Sequence, residues 1–121
     1  MAKKILIVDD SAFIRTVLRD ILVASGYEVA GEAESGEQAV IKFKELHPDL
    51  VTLDMMMAGE NGLKALQGII NLDRNANVLM VTAQGRQSLI IDAVQAGAKG
   101  FLTKPFEPNA VIAEIKRILK D

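Results

Sequence analysis

Five short runs, most of them apolar and each followed by a segment in which apolar residues recur at helical spacing, constrain the fold of this chain most. The runs occupy residues 5–8, 28–33, 50–54, 78–82 and 100–103, and the second, which includes Glu28 and Glu32, is the weaker strand candidate. Consecutive apolar residues are typical of strands that are covered on both faces. Each intervening helix returns the chain to the starting edge of the sheet, so successive strands run parallel. The sequence therefore predicts an α/β fold: a five-stranded parallel sheet in a three-layer sandwich.

Local signals indicate where several helices begin and end. Ser35 followed by Gln38 is typical of a capping box at the start of the second helix. Gly26 and Gly97 are expected to end the first and fourth helices, and Pro108 to begin the fifth. The apolar positions of the first helix recur at Phe13, Ile14, Val17, Leu18, Ile21 and Leu22. The remaining predictions are a turn at Asn61-Gly62, a third helix at about residues 63–70 and a fourth helix from about Arg86.

Composition excludes several classes of protein. The 121 residues suit one domain, so residues 1–121 are expected to form a single domain without a separate output domain. The absence of cysteine excludes disulfides and thiolate metal sites, and fits a reducing cytoplasm. The net charge of −2 comes from interspersed acids and bases, unlike the basic stripe of a nucleic-acid-binding protein. The first apolar run is too short for a signal peptide or a membrane span.

The polar residues that end the apolar runs are the candidate functional residues. Asp9 and Asp10 follow the first run, Asp54 ends the third, Thr82 ends the fourth, and Lys104 follows the fifth. They should lie together, because ligands of parallel sheets bind beyond the carboxyl ends of the strands. Clustered carboxylates repel one another, and an oxygen-only donor set favours a hard cation such as Mg²⁺. One carboxylate could then attack a phosphoryl group.

Each of these residues also has a structural interpretation. Asp10 or Ser11 could simply cap the first helix, and Asp54 could be a turn residue. Thr82 could be an ordinary strand residue, and Lys104 a surface charge. The combination of all of them at strand ends favours a functional site. The only histidine, His47, lies beside Pro48 near a predicted helix end, and a role at the helix C-terminus is expected rather than phosphotransfer.

Four segments of the chain resemble a known family: ILIVDDS, PDLVTLD, VLMVTA and AGAKGFLTKPF. Over its whole length the chain resembles the receiver domain of two-component response regulators, and most of all stand-alone chemotaxis regulators of the CheY type. The resemblance implies a doubly wound, flavodoxin-like sheet with strand order 2-1-3-4-5. It also implies a phosphorylation-activated signalling switch rather than a turnover enzyme, one that catalyses only its own phosphorylation and slow dephosphorylation.

The resemblance implies roles for the acidic residues. Asp54 would be the phosphoacceptor. Asp10 would bind Mg²⁺ directly and Asp9 largely through water, with the Asp54 carboxylate as a further ligand. The main chain of Met56 would lie at the phosphoryl group, and its carbonyl would supply another Mg²⁺ ligand.

The resemblance implies a second set of roles around the phosphoryl group. Lys104 would pair with that group. Thr82 would move to hydrogen-bond it, together with the main-chain N–H of Ala83. Phe101 would rotate inward as Thr82 moves. The peptide bond between Lys104 and Pro105 is a candidate for the cis form.

Partners are also implied by the resemblance. A histidine kinase would donate the phosphoryl group, and a flagellar motor switch component or a phosphotransfer protein would bind the changed surface of the fourth helix, fifth strand and fifth helix. A monomer that binds neither nucleic acid nor membrane is expected. The alternatives are a phosphorelay intermediate, an excised receiver of a larger regulator, and a docking module that works without phosphorylation.

Two features depart from the family pattern. Four residues after Asp54 the family usually has proline, whereas this chain has Ala58 followed by Gly59. A loop without proline should be more mobile and slow phosphorylation. Met56 cannot orient a hydrolytic water by hydrogen bonding, which predicts a long-lived aspartyl phosphate.

Two other classes of α/β protein fit the sequence less well. A haloacid-dehalogenase-type phosphatase needs a second acid two residues after its nucleophile, where this chain has Met56. A flavodoxin-like flavin-binding protein needs a hydroxyl-rich phosphate loop after the first strand. That place holds Asp9 and Asp10, which would repel phosphate without a metal.

Overall fold

The computed structural model describes residues 2–57, 60–83 and 87–121. The five strands of the main sheet are β1 Lys4–Val8, β2 Glu28–Ala33, β3 Leu50–Asp54, β4 Val78–Thr82 and β5 Gly100–Thr103. The five helices are α1 Ala12–Ala24, α2 Gly36–Leu46, α3 Leu63–Leu72, α4 Gln87–Ala96 and α5 Pro108–Leu119. Within the described ranges, no helix is both long and apolar enough to cross a membrane.

The sheet has the strand order β2-β1-β3-β4-β5, and every neighbouring pair is parallel. The predicted α/β class and the order 2-1-3-4-5 are therefore confirmed. Strand order reverses between β1 and β3, because the chain first builds outward to β2 and then crosses to the other side of β1. In a doubly wound sheet this is where a crevice opens beyond the carboxyl ends of the strands.

Two hydrophobic cores lie on opposite faces of the sheet. Ile5 and Ile7 of β1 pack with α1 and α5, whereas Leu6 and Val8 pack on the other face with residues of α2, α3 and α4. Successive side chains of a strand point to opposite faces, so a strand covered on both faces needs an unbroken apolar run. The run that predicted β1 is thus explained by helices on both sides.

The helix boundaries follow the predicted signals with one difference. The Ser35 hydroxyl accepts a hydrogen bond from the N–H of Gln38 at 3.2 Å. The Gln38 amide oxygen accepts from the N–H of Glu34 at 3.0 Å, one residue before the donor of a standard capping box. His47 is the C-cap of α2, with a left-handed φ of 47°. A role at the helix C-terminus was predicted for it.

Two sequence predictions need correction, and two others concern residues outside the described ranges. The turn predicted at Asn61-Gly62 is found at Gly62 alone, because residues 60–61 pair with Met56–Met57 as a short antiparallel ladder. Phe13 belongs to the apolar pattern of α1, yet it is 75% exposed. The predicted start of α4 at Arg86 and the loop at Ala58-Gly59 lie outside the described residues, and α4 is described from Gln87.

Candidate functional site

Three carboxylates meet at the carboxyl ends of β1 and β3. Asp9, Asp10 and Asp54 each offer an oxygen, and these atoms all lie within 4.8 Å of one another. Asp9 and Asp54 are buried, at 3% and 5% exposure, whereas Asp10 is exposed. The parallel topology produces this cluster, because β1 and β3 are adjacent and end at the same edge.

Lys104 joins the cluster from the end of β5. Its Nζ lies 3.0 Å from Asp9 Oδ2 and 3.1 Å from Asp54 Oδ2. Its main-chain N–H donates to the carbonyl of Thr82 at 3.0 Å, which ties the end of β5 to β4. The Lys104–Pro105 peptide bond, the sequence's candidate for the cis form, is cis. One ammonium is therefore shared between the two buried carboxylates.

Burial and charge move the pKa values of two of these groups. Burial raises the pKa of Asp54, although hydrogen bonds from Lys104 and from the main chain of Met56 act in the opposite direction. Burial acts to lower the pKa of Lys104, but its hydrogen bonds with Asp9 and Asp54 outweigh this effect and raise it. The ammonium thus stays charged at neutral pH, whereas the buried Asp54 carboxylate is incompletely compensated. A cation bound beside Asp54 would favour its ionised form.

The chain segment after Asp54 is packed closely against that residue. The N–H of Met56 donates to Asp54 Oδ1 at 3.2 Å, and the N–H of Met55 donates to the carbonyl of Val81 at 2.8 Å. The N–H of Gly62 donates to the carbonyl of Met55. A Cβ at Gly62 would lie only 2.5 Å from the carbonyl oxygen of Asp54. Gly62 is therefore needed for the close approach of the two segments.

Met55 and Met57 are buried, whereas Met56 is 37% exposed. Met56 is thus the member of the triplet whose side chain solvent can reach. Its main-chain N–H is the atom that contacts the acidic cluster. A side chain here can be changed without disturbing that contact.

The remaining predicted residues lie on β4, just after its end, and on β5. The Thr82 hydroxyl donates to the carbonyl of Ala83 at 3.0 Å, and Thr82 is buried. Ala83 is exposed at the end of β4. Phe101 is half-buried against the core on the α2, α3 and α4 face, and its N–H donates to Glu114 Oε2 at 3.1 Å. The structure thus places a hydroxyl and an aromatic ring on the strands beside the site.

Sequence analysis missed Arg15, which also contacts the site. Its Nη1 donates to the carbonyl of Asp9 at 2.6 Å, and its Nε donates to Glu32 Oε1 at 2.8 Å. No sequence pattern indicated this, because an arginine in the second turn of a helix has the same spacing whether it faces solvent or a neighbouring loop. The contact depends on where β2 brings Glu32.

The donor set of the cluster fits Mg²⁺. All three side chains offer oxygen, no cysteine is present in the chain, and Asp10 is open to solvent. Mg²⁺ prefers one or two carboxylates and keeps several waters or phosphate oxygens as its other ligands. An anionic substrate, by contrast, would be repelled by the three carboxylates unless a cation or Lys104 offset their charge.

Comparisons with known proteins agree with this geometry. The model of the response regulator receiver domain matches residues 5–116. The chain is 48% identical over 120 residues to the chemotaxis protein CheY of Thermotoga maritima, covering 99% of this chain and 100% of that protein. It is 51% identical over 119 residues to the chemotaxis protein CheY of Bacillus subtilis, covering 98% and 99%.

Solved structures give the same result. A response regulator from Chloroflexus aurantiacus superposes with a TM-score of 0.92 at 34% identity, with both chains covered in full. A chain of the CheX-CheY-BeF3-Mg²⁺ complex from Borrelia burgdorferi superposes with a TM-score of 0.91 at 36% identity, covering 96% of this chain and 88% of that one. Fold, acidic cluster and sequence agree, and this chain belongs to the response regulator receiver domain family of two-component systems, with chemotaxis CheY proteins among its relatives.

Proposed function

We propose that this protein is a phosphorylation-activated switch whose phosphoacceptor is Asp54. The observation that carries the proposal is the buried carboxylate of Asp54, which Lys104 contacts at 3.1 Å, beside the carboxylates of Asp9 and Asp10. A buried aspartate with only a structural role would need only one positively charged or hydrogen-bonding group to compensate it. A lysine shared between two buried acids, with a third acid open to solvent, suits binding of a cation and then of a phosphoryl group.

In the proposed reaction the nucleophile is one of the two carboxylate oxygens of Asp54, which have different hydrogen-bond partners. Oδ1 accepts from the N–H of Met56, and Oδ2 accepts from Lys104. One of them attacks the phosphorus of the donor, an O–P bond forms, and the bond from phosphorus to the donor's leaving atom breaks with its electron pair. Lys104 then neutralises charge on the transferred group. Mg²⁺, when held by Asp9, Asp10, Asp54 and the Met56 carbonyl, would supply further charge neutralisation there.

We propose that Thr82 and Phe101 carry the change to the surface. Thr82 now donates to the carbonyl of Ala83, a local acceptor that it can exchange for a phosphoryl oxygen. The N–H of Ala83 is expected to donate to the same group. Phosphorylation selects the state in which these contacts form, because only differential contacts shift an equilibrium. Phe101 would follow Thr82 inward and change the surface made by α4, β5 and α5.

The proposed partners follow from the family and its relatives. A histidine kinase would supply the phosphoryl group. The relatives named chemotaxis protein CheY favour a role in chemotaxis, with a flagellar motor switch component or a phosphotransfer protein as the binding partner. The Borrelia structure contains CheX bound to a CheY, and a protein of that kind is a further candidate. We propose that residues 1–121 work as one receiver domain.

Intact-mass spectrometry tests the chemistry. The protein is incubated with a small-molecule phosphodonor and Mg²⁺, and parallel samples contain a chelator. Wild type should gain one phosphoryl group only with Mg²⁺, Asp54→Ala should gain none, and Asp20→Asn, an exposed acid on α1, should behave as wild type. No gain by wild type from either a small donor or a kinase would overturn the proposal and favour a docking module that works without phosphorylation.

The side chain of Met56 should control how long the phosphoryl group stays. It is 37% exposed beside the acidic cluster and has no group that can orient a water for attack. Replacing Met56 by asparagine should therefore speed dephosphorylation severalfold, since an amide can hydrogen-bond the water. The rate is measured by the decay of the phosphorylated mass after the donor is removed. Met56→Leu is the matched control and should keep the slow rate, whereas equal rates in all three proteins would contradict the prediction.

A further inference from the structure

We propose that Arg15 is a positioning residue that fixes the loop bearing Asp9 and Asp10 and thereby sets the affinity of the site for Mg²⁺. The inference rests on the proposed function and names a residue outside the acidic cluster. Arg15 lies on α1 and its side chain is 15% exposed. Its guanidinium donates to the main-chain oxygen of Asp9 at 2.6 Å and to the Glu32 carboxylate at 2.8 Å.

Glu32 holds Arg15 in place from the neighbouring strand β2. The second oxygen of Glu32 accepts from Nε and Nη2 of Arg19, at 2.9 and 2.5 Å. Lys42 of α2 donates to the main-chain oxygen of Glu32 at 2.6 Å. The hydrogen bonds and charges of the two arginines, those of Arg19 above all and then those of Arg15, keep the pKa of the Glu32 carboxyl below its ordinary value despite burial, so it remains an anion at neutral pH. Glu32 therefore anchors the Nε side of the Arg15 guanidinium, and Nη1 holds the carbonyl of Asp9.

Asp9 is held at four atoms: Lys104 contacts its Oδ2 at 3.0 Å, Arg15 contacts its carbonyl oxygen, and the other two contacts are with main-chain atoms. The N–H of Asp9 donates to the carbonyl of Ala33 at 3.0 Å, and its Oδ1 accepts from the N–H of Ser11 at 2.9 Å. In both of those contacts the atom bonded to Asp9 is a main-chain atom, the carbonyl oxygen of Ala33 or the N–H of Ser11. Of the two side-chain contacts, the bond from Arg15 to the Asp9 carbonyl is the one that a substitution can remove without changing a residue of the acidic cluster or Lys104.

The position of this loop matters because Mg²⁺ tolerates little departure from octahedral geometry. The Asp9 carbonyl belongs to the peptide that joins Asp9 to Asp10, so rotation of this peptide would move both carboxylates relative to Asp54. Groups that orient metal ligands typically contribute about 10- to 100-fold to metal affinity. Loss of the Arg15 contact should therefore weaken Mg²⁺ binding without removing any ligand.

Titration with MgCl₂, followed by amide NMR shifts, tests the inference on the whole chain. Arg15→Gln should weaken Mg²⁺ binding roughly tenfold. Arg19→Gln is the matched control: it breaks a contact with the same Glu32 but touches no atom of Asp9, and its Mg²⁺ affinity should change by no more than about twofold. In metal-free samples the amide nitrogen of Asp10 should shift in the Arg15 variant only. Thermal unfolding followed by circular dichroism verifies that both variants fold.

The outcomes separate this inference from the proposed function. If wild type binds Mg²⁺ and is phosphorylated while Arg15→Gln keeps the wild-type affinity, the inference is overturned and the switch stands. Equal weakening in both variants would also overturn it, because the effect would then be a general one of the ion-pair network. Wild type without Mg²⁺ affinity would overturn the metal site and the inference together. If Arg15→Gln does not fold, Arg15→Lys replaces it, and its affinity should fall because one ammonium cannot reproduce the two-ended contact.

Discussion

At the residue scale, the Asp54 carboxylate is unfavourable to bury, as is typical of residues at functional sites. It is 5% exposed, and burial raises its pKa despite the contact with Lys104. An acid whose pKa is higher in the folded than in the unfolded protein binds protons preferentially in the folded state. Its contribution to stability is therefore most favourable below its ordinary value of 3.8 and is lost as the pH rises through the folded-state pKa.

Replacing Asp54 by asparagine should stabilise the metal-free protein at neutral pH. Thermal unfolding in the presence of a chelator should give a melting temperature a few degrees above wild type at pH 7, and the difference should shrink towards pH 4. Asp20→Asn, an exposed acid, should show no such gain. A variant less stable than wild type at pH 7 would mean that Lys104 compensates the buried charge fully.

Thr52 offers a second residue-scale prediction. Within the described part of the chain, its hydroxyl is the buried side-chain polar atom that lacks a hydrogen-bond partner. It lies in β3, in register with Ile7 and Leu79, in an apolar environment. Thr52→Val keeps the shape and removes the unpaired group, so the free energy of unfolding should rise by about 1 kcal/mol. Urea denaturation measures it, and a loss of stability would show that the hydroxyl has a partner in solution.

At the scale of elements, the approach of α3 to the end of β3 depends on Gly62. This residue has an ordinary φ of −75°, so its requirement is one of space rather than of backbone conformation. A Cβ would lie 2.5 Å from the carbonyl oxygen of Asp54 and 3.3 Å from the Cα of Met55. Any side chain here must push α3 away from the segment that carries Asp54, the proposed phosphoacceptor.

Gly62→Ala should therefore lower both stability and phosphorylation. Crowding of this kind typically costs about 1–3 kcal/mol, measured by urea denaturation. The matched control is Gly26→Ala, which has open space around it but a left-handed φ of 90°. It should lower stability through backbone strain and leave the rate of phosphorylation unchanged. An alanine at position 62 that phosphorylates at the wild-type rate would contradict this account of the contact.

The elements themselves were largely predictable, and the exceptions have physical reasons. Apolar runs predicted the three inner strands β1, β3 and β4 because both faces of the sheet are covered there, whereas β2, an edge strand with Glu28 and Glu32, gave a weaker signal. The short antiparallel pairing of Met56–Met57 with residues 60–61 was missed, because strands of two residues depend on tertiary contacts rather than on propensity. Phe13 was misplaced in the apolar pattern because helical spacing does not distinguish a core position from an exposed apolar one.

At the scale of the whole molecule, strand order explains why so few residues make the site. Adjacent parallel strands bring Asp9 and Asp54 to one edge, and β5 brings Lys104 to the same edge. Residue types and topology were enough to predict this convergence. The roles of Arg15 and Gly62 were not predictable, because they depend on distances between elements that sequence spacing does not encode.

Hydrogen exchange on the phosphorylated protein tests the central claim, that charge placed on Asp54 changes a distant surface. Backbone amides of wild type are compared before and after phosphorylation, with Asp54→Asn under the same conditions and amides of α2 as an internal reference. The account predicts altered exchange in β4, β5 and α5, including the amide of Phe101, in wild type alone. A protein that gains the phosphoryl group while exchange in β5 and α5 stays unchanged would contradict it.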